Sequence, residues 1–259
     1  MTLVEGTGAF ALGPLSEVAA STHPWAELVA HVVPGLVSTL AAHERVVRGE
    51  VVAGGDRLDP AVLDLPLALE RWEPAYAGAV YRPDGAEFPS PPLPSSPVVG
   101  LPVAGRVVAH TPVTEALAGL VRPWRADSDG SIAVTAVKGR AGSAVAALGH
   151  DRVQWSRVDA GDALARMAWA GASGGAHGRR RGAAVGRFGA WWALAALADR
   201  LDDWPVPPTQ LGQKAARLQW ALWHPVERSA GSCTSPSKIL TTAWRGPSKP
   251  GIAEGSAPQ

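Results

Sequence analysis

From Ala163 to Ala198 the chain contains no Asp or Glu, yet Arg166, Arg179, Arg180, Arg181 and Arg187 all fall inside this window. Its centre is a Gly-rich loop, Gly171-Ala-Ser-Gly-Gly-Ala-His-Gly178, followed by the three consecutive arginines and then by a helix-prone stretch from Ala183 to Leu201. In that stretch Phe188, Trp191, Leu194, Ala198 and Leu201 form one face, and Val185, Trp192 and Ala195 cover another. A helix that is apolar on most sides belongs in a core. Its charges also run against its dipole: arginines sit at its start, and Asp199, Asp202 and Asp203 at its end. A helix favours the opposite arrangement, so the fold, a partner or a bound anion has to supply negative charge near the arginines.

Glycines beside a helix N-terminus let backbone N–H groups approach a phosphate or carboxylate. One reading is therefore an anion-binding loop formed by His177, Arg179, Arg180, Arg181 and Arg187. The other is a solvated arginine face, with Arg187 paired internally to an Asp such as Asp162. The loop is not a P-loop, because G-x-x-x-x-G-K-[ST] is missing, and it lacks the G-x-G opening of a dinucleotide fingerprint. Gly171-Ala-Ser-Gly-Gly175 matches G-x-S-x-G, but a nucleophile elbow needs a strand before the Ser and a helix directly after it. Here a helix precedes Ser173, loop follows it, and no acid stands between Ser173 and His177 to orient the ring. Ser173 reads better as a helix C-cap followed by flexible glycines.

The 259-residue chain is 46% hydrophobic with a net charge of +1, which disfavours a general attraction to nucleic acid or membrane. Its 20 Arg against 4 Lys suggest a GC-rich genome. The single Cys233 excludes an internal disulfide and fits a reducing cytoplasm. No signal-like N-terminus or membrane-length apolar run is present, so a cytoplasmic, soluble protein is expected. The seven histidines (23, 31, 43, 110, 150, 177 and 224) show no H-E-x-x-H spacing, and no metal or cofactor is expected. Asp127 and Asp129 read as a turn before a strand at Ser131.

Four regions are expected: a helical part over 1–82, a Pro-rich linker over 83–102, an α+β core over 103–225 and a disordered tail over 226–259. Helices are predicted over 14–50 and, behind Asp59 and Pro60, as far as Leu69. Seven prolines in 83–102 exclude a helix or central strand there. The core is expected to hold strands at Val103–His110, Ser131–Val137 and Arg152–Ser156, with helices at Thr114–Val121 and Ala141–Leu148. The second and third strands with the helix between them suggest a βαβ unit, with an antiparallel arrangement left open. Further helices are predicted from Asp162 to Ala170, from Ala183 to Leu201 and from Pro207 to Trp223. Cys233, Lys238 and Trp244 fall in the tail.

The stretch Ser173-Gly-Gly-Ala-His-Gly178, then Gly182-Ala-Ala-Val-Gly-Arg-Phe-Gly-Ala-Trp191, resembles a motif in actinobacterial proteins classed as a domain of unknown function. In that motif S-G-G-A-Y-G is followed by a short variable piece and by G-A-x-G-R-x-x-A-W. Here His177 replaces the Tyr, Arg179 to Arg181 fill the variable piece, and one residue is added before Gly186. The resemblance implies family membership and a bacterial cytoplasmic setting, and carries over no catalytic role. The expected class is α+β, helix-rich with a small sheet in the C-terminal half. The leading function is a non-catalytic interaction or accessory protein whose loop contacts an acidic protein surface. An anion- or nucleotide-handling enzyme is the alternative, and a hydrolase using Ser173 is third.

Overall fold

Two antiparallel helices, α6 (Ala160–Ala172) and α7 (Ala183–Leu197), form the centre of the protein. The computed structural model describes residues 14–109, 111–127, 132–175, 178–226 and 239–243. The two helices meet at glycine: a Cβ on Gly186 would lie 2.1 Å from the carbonyl oxygen of Ala168 and 2.9 Å from the Ala172 amide nitrogen. Gly186→Ala is therefore expected to cost about 1–3 kcal/mol or more by forcing the helices apart. An unchanged urea midpoint for that variant would refute so close an approach.

The main core collects Leu164, Met167, Trp191, Leu194, Leu197, Leu211 and Trp220. As expected, α7 is apolar round its circumference and buried along most of its length. A third helix, α4 (Pro112–Ala126), lies against α7. Thr111 caps it by accepting the Thr114 amide, and Pro112 takes its first position. The helix continues through Pro123, beyond the expected end at Val121, and Trp124 Nε1 donates to the carbonyls of Ala170 and Ser173, tying the last turn to the end of α6.

The N-terminal part supplies α1 (Pro14–Thr22), α2 (Trp25–Leu28) and α3 (Leu36–Val47), and α3 packs on α7. No helix forms behind Asp59. Instead the carbonyls of Pro66 and Ala68 accept from the Arg187 guanidinium, and Leu65, Trp72 and Tyr76 close over the core. A hairpin follows, β1 (Val80–Arg82) with β2 (Gly85–Glu87).

A four-stranded antiparallel sheet has the order β3 (Val98–Gly100), β6 (Arg152–Val158), β7 (Gln219–Pro225), β8 (Ile239–Ala243). A separate ribbon pairs β4 (Arg106–Val107) with β5 (Val137–Lys138). α5 (Ala141–Ala147) lies on one face of the sheet, where Val145, Val153 and Trp223 are buried together, while Trp220 enters the main core on the other. The class is α+β, as expected. The predicted βαβ unit does not form among the described residues, because β5 and β6 belong to different sheets and the named strands all pair antiparallel.

Three further expectations differ from the structure. The last predicted helix ends at Arg217 as α8 (Pro208–Arg217), and the apolar run after it is β7. The Pro-rich stretch contains β2 and β3, and is held down where Arg166 Nη2 donates to the carbonyls of Pro91 and Pro92. Within the predicted tail, Ile239–Ala243 is the edge strand β8. Cys233, Lys238, Trp244, His110 and the turn around Asp129 lie outside the described residues.

Candidate functional site

The start of α7 is surrounded by glutamates from the N-terminal part of the chain. Arg187 is wholly buried and grips Glu73 with two nitrogens, Nε at 2.8 Å and Nη2 at 2.7 Å. Glu73 also accepts from Trp191 Nε1 at 2.8 Å, the Tyr76 hydroxyl at 2.6 Å and the Glu70 amide at 3.0 Å. Burial alone would raise the Glu73 pKa; the hydrogen bonds and charge of Arg187 overcome it and hold the carboxyl below its usual value. The Trp72 ring sits 5.0 Å from that of Trp191 and screens the pair.

Arg180 makes a second two-nitrogen grip, on Glu17, with Nε at 3.0 Å and Nη2 at 2.8 Å. The Tyr81 hydroxyl donates to the same carboxylate at 2.9 Å, and the Phe88 ring lies 4.8 Å from the guanidinium carbon. The third glutamate, Glu44 of α3, accepts the amide of Ala184 at 2.8 Å and Arg48 Nη1 at 2.9 Å. Since α7 has no side-chain cap of its own, Glu44 caps it from another helix. Burial, and then the neighbouring Glu17, push the Glu44 pKa up to about 7. Next to it, buried His43 is pushed down to about 4, first by burial and then by the charge of Arg187.

The counter-charge that the reversed helix demands thus comes from Glu17 and Glu73, while Glu44 supplies the missing cap. Arg187 does pair internally, with Glu73 rather than with an Asp such as Asp162. At the other end of α7, Arg200 pairs with Asp203 at 2.8 Å. None of the three glutamates stands out in the sequence. The available signal was a lone acid in a mostly apolar helix, as Glu44 is in α3.

Of the residues predicted to form an anion site, Arg180 and Arg187 are therefore engaged inside the protein, Arg179 is exposed, and His177 lies outside the described residues. Arg181 faces a groove of about 360 Å³ between α4 and α7. Leu120, Val185, Phe188 and Trp192 give the groove apolar walls, and Arg122 and Arg181 line it together. Because α4 and α7 are antiparallel, both arginines fall at the end nearest the Gly-rich loop. Burial lowers the Arg181 pKa against the pull of Asp127.

The two described sides of the loop lie close together. A Cβ on Gly174 would lie 2.2 Å from the Arg179 carbonyl oxygen, and the Arg181 amide donates to the Ala172 carbonyl at 2.8 Å. Ser173 caps the C-terminus of α6, and its hydroxyl oxygen accepts the Gly175 amide at 3.4 Å. Among the described residues no cluster of three or more His, Cys, Asp or Glu is placed to hold a metal, and no helix is long and apolar enough to cross a membrane.

The family model of a family of unknown function, DUF6183, matches residues 3–227. The chain belongs to that family. No curated protein and no solved structure matches it. Within this DUF6183 member, the matched span contains both the three glutamates and the arginines that they hold.

Proposed function

We propose that this DUF6183 protein is a non-catalytic interaction or accessory protein that meets its partner at the α4–α7 groove. The segment that it takes is acidic and carries an apolar side chain. One observation carries the reading: Arg181, unlike Arg180 and Arg187, has no carboxylate in contact among the described residues and lines an apolar groove beside Arg122. A partly desolvated guanidinium favours a carboxylate, which it binds with a fork of donors, and Phe188 and Trp192 offer the flat surface on which interfaces concentrate their energy. Among the described residues the lining holds one carboxylate, Glu115, and no histidine, serine or cysteine. Binding is the chemistry that such a surface supplies. A cytoplasmic setting and an actinobacterial origin are part of this reading, supported by the lone cysteine and the excess of Arg over Lys.

The test is selection of a randomised displayed peptide library on the folded protein. Peptides that pair Asp or Glu with an aromatic or aliphatic residue are expected to be enriched. Their affinity should fall roughly tenfold or more in Arg181→Ala, the loss of one charge-assisted hydrogen-bonded contact. Enriched peptides without acidic residues, or binding indifferent to Arg181 and Arg122, would refute the reading. Stabilisation by sulfate or nucleotides that disappears in Arg181→Ala would instead favour a small-anion site.

A further inference from the structure

The face of the four-stranded sheet that carries α5 holds a cavity of about 700 Å³, lined by Arg140, Arg157, Arg217, Trp155 and Gln219. We propose that it is a second binding site, separate from the α4–α7 groove, for a small phosphorylated molecule with a flat ring. Two acid-free stretches of sequence meet there. Residues 130–150 contain no Asp or Glu and supply Arg140, and residues 204–226 contain none and supply Arg217. Arg157 reaches the cavity from β6.

Arg140, Arg157 and Arg217 make no ion pair or hydrogen bond from their side chains among the described residues. The carboxylate closest to Arg157 in sequence, Asp159, is turned to the start of α6, where it accepts the Asp162 amide at 2.7 Å. The ribbon beside α5 adds a second sign of missing negative charge: Arg106 and Lys138 stand directly opposite each other across β4 and β5. Like charges at such a position repel, and a polyanion nearby would relieve them.

Three guanidinium groups around one cavity suit phosphate oxygens, which they hold with paired donors. The half-buried Trp155 ring adds an apolar, planar wall on which a base or other aromatic ring stacks. The volume falls in the range that holds a small molecule. Sheet, α5 and α8 all contribute, so the site is built on fixed elements rather than on one mobile loop.

Calorimetric titration of the full chain with inorganic pyrophosphate, ATP and a ten-nucleotide single-stranded DNA tests the proposal. ATP is expected to bind more tightly than pyrophosphate. Arg157→Ala and Arg217→Ala, both exposed positions, should weaken either ligand roughly tenfold or more. Trp155→Leu should weaken ATP and leave pyrophosphate unchanged. Arg181→Ala, in the other groove, should change nothing, which separates this site from the peptide site. Absence of saturable ATP binding at millimolar concentration overturns the proposal, as does binding that ignores Arg157 and Arg217. DNA binding at least tenfold tighter than ATP, with a steep salt dependence, also overturns it and makes this face a nucleic-acid surface.

Discussion

Arg187→Met is expected to destabilise the protein by about 3–5 kcal/mol, the range for breaking a buried ion pair from one side. Neither Arg187 nor Glu73 has any exposed side-chain surface, so water cannot replace the lost partner. The substitution leaves a buried carboxylate with only Tyr76, Trp191 and the Glu70 amide as donors. It also strips the Pro66 and Ala68 carbonyls of the donors that bring their segment onto the core. Urea unfolding followed by tryptophan fluorescence measures the loss. Pairing Arg187→Met with Glu73→Gln removes the stranded charge and should recover part of it. A loss below about 1 kcal/mol in the single variant, the scale of an exposed pair, would contradict the burial of this pair.

Stability should respond to pH through Glu44 and His43 in opposite directions. Glu44 keeps its proton up to about pH 7 in the fold, against 4.5 when unperturbed. Between those values the native state holds more protons than the unfolded chain, so Glu44 lowers stability as pH rises, with the loss complete above about pH 7. His43 titrates near 4 in the fold and near 6.5 when unperturbed, so the unfolded chain holds more protons in that window and stability falls as pH drops through it. The two slopes oppose each other between 4.5 and 6.5. Glu44→Gln removes one of them. Relative to wild type, that variant should gain stability as pH rises from 4.5 to 7 and then hold level. The slope is bounded by one proton, about 1.4 kcal/mol per pH unit. Equal pH profiles for the two proteins would mean that folding leaves the Glu44 pKa unshifted.

How much of this was legible depended on distance along the chain. Local pattern located α5, α6, α7 and β6, because cap residues and the period of apolar positions lie within each segment. Local pattern also exposed the charge reversal of α7, and with it the need for nearby acid. It could not name that acid, since Glu73, Glu44 and Glu17 are 114, 140 and 163 residues from the groups they meet. The strand β7 was hidden for a different reason. Trp220, Ala221, Leu222 and Trp223 are buried on both faces of the sheet, so the alternation that marks a strand is absent and the run continues the spacing of α8. The segment after Asp59 has the composition of a helix but gives its carbonyls to Arg187, a tertiary bond that overrides propensity. The Arg140, Arg157 and Arg217 cavity was invisible because its three cations come from three separate stretches, none of which is itself arginine-rich.

The clasp of glutamates also sets an order for synthesis. Ribosomes make α1 and α3 long before Arg180 and Arg187 exist, and until then Glu17 and Glu73 have no cation to receive them and stay hydrated. Glu44 likewise waits for the Ala184 amide at the start of α7. The helices α1 and α3 are thus locked in place by the later α7, and a nascent chain stalled before Gly182 holds glutamates whose partners have not yet been made.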